Sequence, residues 1–146
     1  MPAFAIETAR PEHAGEIARL SGELGYPATQ EEIAQRLASL SAASHAYVAV
    51  AAAPDGRLLG WMVVERRCCL ESGEQAELAG LVVSSDARRL GVGRALVAAA
   101  EAWTRAAGFA KLRVRSNVLR VESHALYRGI GFVPVKTQHT YEKLLP

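Results

Sequence analysis

The chain has 146 residues, half of them hydrophobic and 22% charged, with a formal net charge of +2. That length gives one domain with a core of its own, and the mild basicity falls short of the concentrated positive footprint of a nucleic-acid binder. No apolar run reaches the roughly 18 residues that span a bilayer, the first ten residues lack the pattern of a secretion signal, and the only cysteines, Cys68 and Cys69, are neighbours that close no loop. A cytoplasmic protein without membrane or nucleic-acid partners and without a metal is therefore expected.

In chain order, residues 3–8 alternate weakly and predict a first strand. Pro11 suits the first turn of a helix, along which Ile17, Leu20 and Leu24 recur on one face. Residues 24–27 ("LGYP") break it. Thr29 followed by Glu32 makes a capping box that opens a second helix with Ile33, Leu37 and Leu40 inward. Residues 46–53 predict a strand, Pro54 to Gly56 a turn, and residues 57–70 a long partner strand. Residues 71–75 are the next hairpin turn, and the strand after it runs to Val83. A helix follows, with Gly108 as its stop. Residues 111–116 form a strand with Leu112 and Val114 on one face and Lys111, Arg113 and Arg115 on the other. A short helix ends near Gly131, and residues 132–137 ("FVPVKT") and 139–145 ("HTYEKLL") predict a closing pair of strands. The order β-α-α-β-β-β-α-β-α-β-β describes a mixed sheet flanked by helices.

One stretch points to chemistry. "SSDARRLGVGRAL", residues 84–96, sets Arg88, Arg89 and Arg94 around Gly91 and Gly93, between the strand and the helix. A strand feeding a glycine turn and a helix N-terminus leaves several N–H groups pointing outward, a geometry that suits an anion such as phosphate.

The run Arg88-Arg89-Leu90-Gly91-Val92-Gly93 resembles the Arg/Gln-x-x-Gly-x-Gly/Ala loop of the GNAT superfamily, the acyl-CoA-dependent N-acetyltransferases. "ALYRGIGF" (residues 125–132) is similar to the family's late Leu-Tyr-x-x-x-Gly-Phe motif, and the element order matches over essentially the whole chain. The resemblance implies an α/β fold: a mostly antiparallel sheet with splayed central strands, flanked by about four helices, as one domain over residues 1–146. It implies transfer of an acetyl group from acetyl-CoA to a primary amine of a small molecule or peptide, by direct attack in a ternary complex. A competing reading is an acyl-CoA sensor or regulatory module with little turnover.

The resemblance also assigns roles. Residues Arg88, Arg89, Leu90, Gly91, Val92, Gly93 and Arg94 would wrap the coenzyme A pyrophosphate. The backbone of Leu81, Val82 and Val83 would pair with pantetheine like an added strand and supply the oxyanion donor. Asn117, at the "SN" that ends the fifth strand as in a subgroup of the family, would contact the cofactor. Glu77 stands where some members carry a glutamate base, and simple alternation puts it on one face with Ala79, Leu81 and Val83. Tyr127 would protonate the departing thiolate. Ordinary phenol and thiol acidities make complete transfer uphill by roughly 2 kcal/mol, so hydrogen bonding to developing charge is part of that role. His124 lies one turn before it. The loop at residues 24–29, with Tyr26, and the hairpin at residues 68–75, with Glu71 and Glu74, would select the acceptor. Homodimerisation is expected on the same ground.

Overall fold

The structure, a computed structural model, describes residues 3–116 and 121–146. It forms two compact units, one through Arg115 and one from Ser116.

The first unit carries β1 (Ala5–Thr8), α1 (Ala14–Glu23), α2 (Gln30–Ala42), β2 (Ala46–Ala52), β3 (Leu58–Cys69), β4 (Gly73–Val83), α3 (Val92–Ala106) and β5 (Leu112–Val114). Short 3-10 turns at Pro11–His13 and Ser85–Ala87 lead into α1 and towards α3. The sheet order follows the chain, β1-β2-β3-β4-β5; the first three pairings are antiparallel and β4–β5 is parallel.

Local chemistry explains the helix starts. The Thr29 hydroxyl accepts the Glu32 N–H at 3.1 Å while the Glu32 carboxylate accepts the Thr29 N–H at 2.9 Å, so both halves of the predicted capping box form. Those bonds hold the Glu32 carboxyl below its ordinary value. In α1, Glu16 accepts from Arg19 and from the Leu58 N–H, at 2.7 and 2.9 Å, which ties the helix to the start of β3. The Arg19 hydrogen bond, opposed in part by burial, leaves the Glu16 carboxyl below its ordinary 4.5.

The sheet buries both faces. Ile17 and Leu20 of α1 and Leu37 of α2 pack with Val48, Val50, Leu58 and Val82, and Trp61 and Val63 border this layer. Across the sheet, α3 buries Val92, Leu96, Val97 and Ala100. A Cβ on Gly60 would stand 3.0 Å from Leu96 and 3.1 Å from Val92, so the missing side chain lets α3 close on β3.

Two expectations are corrected. Val63 pairs with Gly80 but Val64 pairs with Leu78, so Ala79 is an extra residue, a β-bulge in β4. The bulge reverses the alternation beyond it. Glu77 therefore shares the α1/α2 face with Gly80 and Val82, and Leu81 and Val83 turn towards α3. Second, residues 132–146 form no strand. Among the described residues, no strand pairs with these segments. Pro134 removes a ladder donor, and an isolated ribbon is marginal in water. Val133, Val135, Tyr141, Leu144 and Leu145 are all exposed.

The second unit contains α4 (Val121–Gly129). Gly131, at φ 106°, ends it as expected, and the Phe132 N–H returns to the Tyr127 carbonyl at 2.9 Å.

Candidate active site

β4 and β5 part company at the bulge. β5 pairs with Ala76, Glu77 and Leu78, and among the described residues the β5-side edge of residues 79–83 has no strand neighbour. The Ser84 N–H bonds back to Leu59 in the β2–β3 direction at 2.8 Å. Alternation along the strand then aims the N–H groups of Leu81 and Val83 at the open edge. These are the donors an extended amide chain needs.

The chain next turns tightly. Ser84 is fully buried, its hydroxyl accepts from the Asp86 N–H, and Asp86 pairs with Arg57 at 2.8 Å. Arg88 is extended, but Arg89 takes φ 70°, the one positive φ outside glycine among the described residues. That left-handed conformation costs an ordinary side chain about 1–2 kcal/mol. Gly91 follows at φ 82° as the N-cap of α3, where it adopts the same region without that penalty. The first helical bond runs from the Ala95 N–H to the Gly91 carbonyl. The N–H groups of Val92, Gly93 and Arg94 thus lack a helical partner, no side chain caps them, and no acid occupies the first turn. Arg88, Arg89 and Arg94 are exposed around this terminus, and Leu90 is half exposed. Backbone donors, helix dipole and arginine charge converge there, a setting for a phosphate group.

On the face towards α1 and α2, Glu77 is 8% exposed. A buried carboxylate needs partners, and it has two. Arg67 of β3 reaches both its oxygens, at 3.3 and 3.4 Å, and Arg115, just past β5, reaches one at 3.2 Å. The pair of guanidinium groups fixes the carboxylate where β4 and β5 diverge. The sequence points to neither arginine as a partner of Glu77: Arg115 shows only as one of the alternating residues of its strand, and nothing local to either position signals a partner on another strand.

Tyr127 lies half-buried on α4, its ring meeting Phe132 edge-on at 5.6 Å, and His124 is half-buried one turn earlier. Asn117 lies outside the described residues. Of the residues expected to select the acceptor, Tyr26 is 50% exposed, and Glu71 and Glu74 stand at the exposed hairpin, with Glu74 3.9 Å from Arg66. No group of three or more His, Cys, Asp or Glu side chains suited to a metal occurs among the described residues, and no helix there is long and apolar enough to cross a membrane.

A fold with a forked β4, an arginine-glycine turn and an uncapped helix behind it can be compared with known proteins. The model of the acetyltransferase (GNAT) family matches residues 12–132. The aminoglycoside N(6')-acetyltransferase type 1 of Stenotrophomonas maltophilia is 39% identical over 106 residues, covering 70% of this chain and 67% of that one. Its namesake from Klebsiella aerogenes is 37% identical over 119 residues, or 80% and 78% of the two chains. Among solved structures, aminoglycoside N-acetyltransferase AAC(6')-Iy in complex with CoA superposes with a TM-score of 0.85 at 20% identity, over 96% of this chain and 94% of that one. AAC(6')-Ig from Acinetobacter haemolyticus gives 0.82 at 20% identity, over 97% and 99%. At such identities the solved structures speak for the fold. The chain belongs to the GNAT acetyltransferase family. It is an acetyl-CoA-dependent N-acetyltransferase that moves the acetyl group to an amine of a small molecule.

Proposed function

We propose that the acceptor is an aminoglycoside and that the reacting group is its 6'-amine, attacked onto acetyl-CoA directly in a ternary complex. The two relatives named for that reaction support the acceptor. The observation that carries the acyl-transfer geometry is the open edge of β4 leading straight to the uncapped N-terminus of α3.

Acetyl-CoA is a substrate here, and the residues fit its parts. The N–H groups of the Arg88–Arg94 turn and the first turn of α3 hold the pyrophosphate, with the three arginines adding charge. The edge at Leu81, Val82 and Val83 takes the pantetheine amides, and one N–H from it donates to the oxyanion. Asn117 completes the cofactor contacts. The amine nitrogen bonds to the thioester carbon, and Glu77 accepts the amine proton, directly or through a water, because its position beside the fork faces the α1/α2 side. The tetrahedral intermediate collapses with cleavage of the C–S bond, and Tyr127 donates a proton or hydrogen bond to the departing sulfur. The chemistry calls for no metal. The whole chain acts as one domain in the cytoplasm, and the exposed apolar residues from Val133 to Leu145 suit contact with a second copy in a homodimer.

The test is thiol release from acetyl-CoA against aminoglycosides, linear polyamines, amino acids and peptides, with NMR of the product. Release with aminoglycosides and acetylation of the 6' nitrogen are expected. Release confined to another class would replace the acceptor, and light scattering on the same sample reads the dimer.

A further inference from the structure

We propose that Glu65 binds a second ammonium group of the acceptor, so that the preferred substrate carries a second amine close enough to the reacting one for the two to reach neighbouring carboxylates. This rests on the small-molecule amine reading above and names what that site selects.

Glu65 pairs directly with Glu77 across β3 and β4, so the two carboxylates project from one face as neighbours. Like charges so placed repel, and such a pair lowers stability unless a cation comes between them. The cations nearby are unevenly shared. Arg67 and Arg115 both contact Glu77. Arg113 is aligned with Glu77 in β5, two strands from Glu65, and Arg66 projects from the opposite face towards Glu74. Glu65 is half-buried, and its carboxylate makes no hydrogen bond or ion pair among the described residues. A partly desolvated carboxylate left in that condition carries an unmet demand for a cation.

The surroundings define the shape of what would meet it. On the same face of β3 the next positions are Val63 and Trp61, and the Trp61 ring covers Gly80, where a Cβ would stand 2.9 Å from it. Glu65 is thus the first charge beyond an apolar floor, one strand away from the carboxylate assigned to the reacting amine. A carbon ring resting on that floor, with an amine at each edge, presents one nitrogen to Glu77 and the other to Glu65. Glu77, already held by two arginines, handles the reacting proton, and Glu65 supplies selectivity.

Steady-state kinetics with two matched acceptor pairs test this, using wild type, E65Q and E65D. The first pair is kanamycin B and kanamycin A, which carry an amine or a hydroxyl on the ring that bears the 6'-amine. The second is 1,4-diaminobutane and butylamine. In wild type the diamine of each pair is expected to have the lower KM, by about tenfold for a charge-assisted contact. E65Q is expected to raise the diamine KM until the pair converges, E65D to keep part of the preference, and the melting temperature of E65Q to be no lower than that of wild type. If E65Q keeps the preference, raises both KM values equally or melts earlier, the assignment of Glu65 is overturned while the aminoglycoside reading stands. If neither kanamycin is acetylated but the diaminobutane preference depends on Glu65, the aminoglycoside reading falls and the assignment stands. Turnover of none of the four overturns both.

Discussion

The two sides of β4 present different kinds of polar group. Towards α3 the donors are backbone N–H groups, set by the turn through Arg89 and Gly91 and by the first turn of the helix. Towards α1 and α2 the polar groups are side chains: Glu77 between Arg67 and Arg115, with Glu65 opposite. A backbone site survives most side-chain changes but fails when the main-chain conformation is denied. A side-chain site behaves in the reverse way. One side suits a cofactor that never varies, and the other can be retuned one residue at a time.

The largest effects should fall on the groups proposed to handle protons. Tyr127→Phe and Glu77→Gln are each expected to lower kcat by about 10²-fold. Calorimetric binding of acetyl-CoA should survive Tyr127→Phe; if turnover survives as well, tyrosine is not the acid. Next comes the backbone side. Gly91→Val demands a positive φ of a β-branched residue, and the affinity for acetyl-CoA should fall by about tenfold or more. Arg94→Ala, which leaves the N–H groups in place, should weaken binding only about twofold to threefold at moderate salt and flatten its salt dependence. Equal losses in the two variants would erase the contrast.

Acid sharpens it from another direction. The Glu16 carboxyl titrates below its ordinary 4.5 in the folded protein because Arg19 and the Leu58 N–H hold the charged form. Its contribution is complete above that ordinary value and is lost as pH falls through the lowered one. Melting temperatures followed from pH 6 downward should drop less steeply in Glu16→Gln than in wild type. The smallest effect expected is Arg89→Gly, which removes the left-handed penalty of the arginine while loosening the unfolded chain. A shift of the melting temperature by a few degrees at most, with the acetyl-CoA Kd raised by no more than the roughly twofold to threefold expected of Arg94→Ala, is the predicted outcome.

Much of the framework could be read from residues alone because its causes are local. The Thr29–Glu32 box, the glycine stop after α4 and the strand-turn-helix through residues 84–96 depend on neighbours a few positions apart. What escaped depends on distant partners. The extra residue at Ala79 leaves no mark on the alternation of "ELAGLVV", and only the pairing with β3 reveals that the faces exchange. Arg67 and Arg115 reach Glu77 from different strands, so neither looks special in sequence. The segments at 132–137 and 139–145 carry strand-forming residues, but a strand exists only where another offers its edge. Pattern reports what a segment prefers; the ladder decides whether the preference is met.

The bulge at Ala79 works like a shift of reading frame halfway along β4. Upstream of it, odd-numbered residues face α1 and α2; downstream, even-numbered ones do. Deleting that single alanine would join Leu78 to Gly80 and restore simple alternation: Val82 would stay towards α1 and α2 and Leu81 and Val83 towards α3, but the bulge at which β4 parts from β5 would be gone. The length of the segment from Glu77 to Val83 therefore sets whether the two strands fork, and libraries built to alter acceptor choice should vary residues there but hold that length fixed.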